Sequence, residues 1–136
     1  MKKLLLGIIA VCCLGLLAAC DSVFDVHPYD VHVDGDKNVN AANIKRIEAA
    51  VKSKDTVRFA MISDTHQMYD DLEKAVKHIN AKGDSIDFVL HCGDLSDFGG
   101  TREFQWTRDR LQKLKKPFVA LLGNHDCLGT GNQAYK

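Results

Sequence analysis

Three short apolar runs in this chain empty abruptly into polar clusters, and the clusters are evenly spaced. "FAMISDTH" ends in Asp64 and His66, "VLHCGDLSD" in Asp94 and Asp97, and "FVALLGNHD" in Asn124, His125 and Asp126. Asp64 to Asp94 and Asp94 to Asn124 are each 30 positions. A βαβ unit takes ~30 residues, so the spacing predicts three parallel strands joined by helical crossovers. The clusters then share the carboxyl edge of one sheet, which is where α/β folds bind ligands.

The intervening sequence agrees. Residues 57–62, 86–91 and 118–122 read as apolar strands. Leu72, Ala75, Val76 and Ile79 fall on one helical face, and Gly83 ends that helix. Residues 101–116 read as a charged helix with Phe104, Leu111 and Leu114 on one side, and Pro117 opens the third strand. The order is β-α-β-α-β, a parallel sheet with right-handed crossovers. Upstream, "DVHVDG" alternates Val31 and Val33 with polar residues and predicts a short strand. Ile44, Ile47 and Val51 predict an amphipathic helix over 41–52, capped by Asn40. "DGDKNVN" fails as a calcium loop, with Val39 where Gly is needed and Lys45 where a bidentate Glu belongs. Residues 20–56 therefore read as an N-terminal extension with a short strand and a helix.

The first residues are an address rather than fold. Lys2 and Lys3 precede the apolar stretch 4–19, which closes in Leu17-Ala18-Ala19-Cys20. That ending resembles the lipobox of bacterial lipoproteins. The resemblance implies removal of residues 1–19, a diacylglycerol on the Cys20 sulfur and acylation of the new amine. Two or three acyl chains anchor a protein stably where one does not, so the chain is expected on a membrane of the bacterial cell envelope. An uncleaved signal anchor, or an ordinary signal peptide that happens to carry Cys, is the alternative. Beyond Cys20 the chain holds 16 basic against 18 acidic residues. No basic stripe exists, and nucleic-acid binding is not expected. Cys92 and Cys127 would remain in the mature chain. They read as two small buried thiols rather than a disulfide framework.

Carboxylates crowded at neighbouring strand ends, about 4.8 Å apart, repel unless a cation lies between them. Carboxylate, imidazole and amide oxygen suit zinc, manganese or iron more than calcium. Gly93 and Gly123 let backbone and metal approach closely. The ordered triplet D-T-H, G-D-L-S-D and G-N-H-D, over residues 57–127, resembles the first three motifs of the calcineurin-like metallophosphoesterases. The resemblance implies the N-terminal βαβαβ part of that family's α/β sandwich, over residues 57–136. It also implies a phosphoester substrate and two divalent metal ions (Mn, Fe or Zn). Asp64 and His66 would hold the first metal, Asp94 would bridge both, and Asn124 would bind the second. His125 would assist the leaving oxygen, Asp97 would orient His125, and Asp126 would support its turn. The family's later ligands, a strand-end His and a Gly-His-x-His, have no counterpart after Asp126. The chain is accordingly expected to be a truncated part of the domain, inactive alone, with one apolar sheet face uncovered.

Simpler readings apply elsewhere. His91 is expected to be a hydrogen-bonded core residue, and His27, His32 and His78 surface or structural ones. Phe104 and Trp106 are expected to pack helices. Two rival functions remain: a non-catalytic lipid-anchored scaffold with a vestigial half-site, and a redox protein using Cys92 and Cys127.

Overall fold

The computed structural model describes residues 30–135. The expected signal segment 1–19, Cys20 and His27 lie outside the described residues. The elements run Val39–Val51 (α1), Phe59–Ile62 (β1), Tyr69–Ala81 (α2), Phe88–His91 (β2), Thr101–Leu111 (α3), Phe118–Ala120 (β3) and Gly131–Ala134 (α4). Short 3-10 turns lie at Gly83–Ser85 and His125–Cys127. The strands form one parallel sheet in the order β1-β2-β3. The chain is thus the βαβαβ unit that its spacing predicts.

Register assigns the faces. Ala60, Ile62, Val89, His91, Phe118 and Ala120 share one face. That face carries the core, where Leu72, Val76 and Ile79 of α2 and Phe104 and Leu111 of α3 are buried with Val89 and Phe118. The other face is apolar throughout: Phe59 and Met61 of β1, Phe88 and Leu90 of β2, Val119 of β3. Among the described residues no helix covers it, and Phe59 is 47% and Met61 64% exposed. Among the described residues the expected exposed apolar face is therefore present on β1, while Phe88, Leu90 and Val119 beside it are half-buried.

Three expectations are corrected by tertiary contacts. First, Val31 and Val33 form no strand. The segment lies along α3 instead: Thr101 Oγ1 donates to the Asp30 carbonyl, and Asp34 N donates to Gln105 Oε1 at 2.7 Å. Val33 is buried in the core from there. Second, the charged helix ends at Leu111, not at 116. The Asn80 amide donates to Lys113 O (2.9 Å) and accepts from Lys115 N (2.8 Å), turning the chain toward β3.

Third, α1 does not bury its apolar stripe. It begins after Asn38, which has φ 55°, and Asn40 lies inside it rather than capping it. Ile44 is exposed, and Asn43 is the buried residue of the helix. Asn40 Oδ1 accepts from Ala120 N at 3.0 Å and its Nδ2 donates to Ala120 O at 2.6 Å. Asn43 Nδ2 donates to Phe118 O at 2.9 Å. The Tyr135 hydroxyl also donates to Ala120 O. β3 is an edge strand, and its outward N–H and C=O groups need partners when covered. The two amides supply what a fourth strand would have supplied, and that demand outweighs the apolar periodicity.

Candidate metal centre

The three polar clusters meet because two backbones touch. A Cβ placed on Gly93 (φ 109°) would stand 2.8 Å from Gly123 Cα and N. A Cβ on Gly123 would collide with the Asp94 carboxylate. Glycine at both positions lets the loops after β2 and β3 pack against each other, a closer role than admitting a metal. The Asp126 carboxylate then ties them together. It is fully buried and accepts from Leu95 N (3.0 Å), Ser96 N (2.7 Å), Ser96 Oγ (2.7 Å) and Gly123 N (2.9 Å). Asp126 therefore holds two loops and not only its own turn. Glu103 plays a similar part that sequence reasoning passed over. It accepts from Asp97 N (3.2 Å), Phe98 N (3.1 Å) and Gly100 N (2.9 Å). The available signal was a Glu three residues after Gly100, at the N3 position of α3.

The β1 loop is stapled to the β2 loop. Asp64 N donates to Gly93 O and His66 N to Asp94 O, both at 3.1 Å. Asp64, His66 and Asp94 all take left-handed backbone conformations, with φ of 53°, 40° and 55°. Non-glycine residues avoid that region at about 1–2 kcal/mol each, so three of them side by side mark a site held by its surroundings. The result is convergence. Asp64, His66 and Asp94 each offer a ligand atom, and these atoms lie within 4.8 Å of one another. His66, Asp97 and His125 form a second such group sharing His66. Asn124 stands exposed directly after Gly123, on the same sheet edge.

The donor set fits a divalent cation. His66 Nδ1 is buried with no hydrogen-bond partner. The Asp97 carboxylate lies 3.4 Å from it but out of hydrogen-bond geometry. A buried imidazole nitrogen left unpaired beside carboxylates is a poor arrangement for the protein alone and a good one for a metal.

His125 is fixed at both ends. Its backbone N donates to Asp94 Oδ1 (3.0 Å), and its ring Nδ1 donates to the Asp97 carbonyl (2.9 Å). The Asp97 carboxylate is 3.7 Å from that nitrogen, so Asp97 touches His125 closely through its main chain. A carbonyl only accepts, so Nδ1 carries a proton and Nε2 is left as the working nitrogen. The His66 and His125 rings meet edge to face at 4.8 Å. The His125 pKa is raised, first by the bond to the Asp97 backbone, with Asp94, Asp97 and Asp126 adding and burial opposing.

Phe104 is buried, as expected of helix packing. Trp106 packs edge to face on Tyr69 at 5.3 Å, with Arg110 over the Tyr69 ring at 4.8 Å. Cys92 and Cys127 are free, and both are exposed rather than buried. Alternation along β2 puts Cys92 on the uncovered face, and Cys127 is the exposed last residue of the 3-10 turn.

His91 is fully buried beneath the loops. Burial, opposed by Asp126, Asp64 and Asp94, pushes its pKa down from 6.5 to about 4. The unfolded chain therefore binds its proton more readily than the folded one. Stability tied to the neutral ring is full above about pH 6.5 and falls away as pH drops toward 4, by up to about 1.4 kcal/mol per pH unit. Melting temperatures measured in chelator from pH 7.5 to 4.5 should drop below pH 6.5, and His91→Gln should flatten that part of the profile. Parallel profiles for the two proteins would contradict it.

The sequence model of the calcineurin-like phosphoesterases matches residues 57–136. A probable glycerophosphodiester phosphodiesterase of Arcobacter nitrofigilis is 30% identical over 76 residues, covering 56% of this chain and 26% of its own length. A probable cyclic nucleotide phosphodiesterase of Synechococcus sp. is 32% identical over 81 residues, covering 52% of this chain and 32% of its own length. The chain thus spans about a quarter to a third of the length of these relatives.

Proposed function

This chain belongs to the calcineurin-like phosphoesterase family, and from that premise we propose that it carries the first half of the metal centre of a phosphoester hydrolase. The observation that carries the reading is the convergence of Asp64, His66 and Asp94 ligand atoms within 4.8 Å. Asp64 and His66 would hold one divalent ion, Asp94 would be shared, and Asn124 would serve a second. Manganese, iron or zinc suits these donors. Bound ions would neutralise charge on the phosphoryl oxygens and acidify water at neutral pH.

The chain's own residues do the rest. Asp94 Oδ1 is anchored by His125 N, which fixes the carboxylate beside the cluster. His125 keeps Nδ1–H on the Asp97 carbonyl and, when protonated, hands the Nε2 proton to the departing alcohol oxygen. Its raised pKa keeps it charged to higher pH. The relatives are named as phosphodiesterases, so a phosphodiester is the first substrate to offer. Four ligand side chains shared over two sites hold metal weakly, and residues 20–136 by themselves should hydrolyse little. Manganese titration of that segment by calorimetry should give weak, saturable binding that Asp64→Asn removes. Absence of saturable binding would overturn the metal reading.

We place the protein on a bacterial envelope membrane through Cys20. Among the described residues no helix is long and apolar enough to cross a membrane, and the lipobox-like ending at Cys20 supports attachment by lipid. Mass spectrometry of detergent-extracted protein should find an acylated Cys20 as the first residue, and Cys20→Ser should block processing. A soluble product that keeps Met1 would rule this out.

A further inference from the structure

His91, at the end of β2, uses both ring nitrogens on loops that carry metal ligands. Gly93 N donates to its Nδ1 at 3.3 Å. Nδ1 is then an acceptor, so in the neutral ring the proton sits on Nε2. That nitrogen lies 3.1 Å from Thr65 Oγ1 and donates to it. The Thr65 hydroxyl passes its own proton toward the Asp94 carbonyl at 3.4 Å. Thr65 is itself buried. The sequence of donors is therefore Gly93 to His91 to Thr65 to Asp94, closed across the gap between two strands.

Its position gives it a task. Thr65 stands between Asp64 and His66, and Gly93 immediately precedes Asp94. Those three ligands hold unfavourable left-handed backbones, and the Asp64 and Asp94 ligand atoms lie within 4.8 Å of each other. A cross-brace of neutral groups sets their separation without putting a positive charge beneath a cation site. The low pKa of His91 agrees with a neutral ring.

We propose that His91 and Thr65 form a positioning relay that fixes the Asp64–His66 turn relative to Asp94 and so sets the metal affinity of the centre. The proposal rests on the metal reading above. Partners that orient metal ligands typically contribute 10–100-fold to affinity.

The test uses Thr65→Val, which keeps the shape and removes the hydroxyl, and Thr65→Ser, which keeps the hydroxyl. Manganese affinity is measured for each, with melting temperatures in chelator as a control. Long-range proton–nitrogen NMR on the metal-free wild type reads the His91 tautomer. Thr65→Val should weaken manganese binding by about 10-fold or more, Thr65→Ser should stay within about 3-fold, and His91 should carry its proton on Nε2. Both substitutions remove buried methyl or hydroxyl atoms, so a merely structural role would track melting temperature rather than the hydroxyl. Wild-type binding left unchanged by Thr65→Val, or a proton on Nδ1, overturns the relay alone. A wild type that never saturates with manganese overturns the metal reading, and the relay with it.

Discussion

Asp94→Asn is expected to reduce phosphodiester hydrolysis to the uncatalysed background in a chain that turns over. The substitution is nearly isosteric, and the amide oxygen can still accept from His125 N, so the loop should keep its shape. What is lost is charge at the one position that two ions would share. The new amide also turns an N–H donor toward a cation. Metal content, measured by mass spectrometry of the purified protein, should fall together with the rate of bis(p-nitrophenyl) phosphate cleavage. Chelator-sensitive turnover near the wild-type rate would remove Asp94 from the shared position. Asp97→Asn should do much less, because the close contact to His125 runs through the Asp97 carbonyl, which the substitution leaves intact.

His125→Asn is expected to slow turnover by about 10²–10⁴, the usual worth of a general acid, with metal content nearly unchanged. The loss should be greatest for esters of poor leaving groups, which need protonation most. The sign with pH follows from the raised pKa. His125 is the competent acid while protonated, so wild-type kcat for a poor leaving group is full below that pKa and falls as pH rises through it. The variant should lose this alkaline limb. A variant as fast as wild type on alkyl esters, or one that keeps the limb, would exclude His125 as the acid.

The parallel three-stranded plan was readable because strand period, helix period and the 30-residue interval all say the same thing. So was the gathering of Asp64, His66 and Asp94, since chain order and strand direction alone bring the ends of β1 and β2 to one edge. What sequence concealed has a common cause. Asn40 read as a helix cap and Asn43 carried no signal, because their partners are main-chain groups of β3, about 80 and 75 residues away. Asp126 showed in its motif but not its reach, since it binds Leu95 and Ser96 from the preceding loop. Glu103 acts on main-chain N–H groups that carry no residue-type signal. His91 could be read as buried and bonded, but the route through Thr65 depends on a ring orientation that only the folded loops define. Ile44 misled because an apolar periodicity tells which side of a helix is greasy and not which side has the more urgent partner.

The amides of α1 also give the sheet a direction. With Asn40 and Asn43 saturating the outer margin of β3, no further strand can add there without first displacing a helix. The outer margin of β1 has no such guard among the described residues, and it borders Phe59 and Met61 on the bare face. Among the described residues the sheet is therefore a template with valence on one side only. Any strand that lengthens it, from the same polypeptide or from a neighbour, enters beside β1, next to the strand that delivers Asp64 and His66. Asn40→Ala and Asn43→Ala would take two side-chain partners from the margin of β3 but leave the Tyr135 hydroxyl and the helix over it.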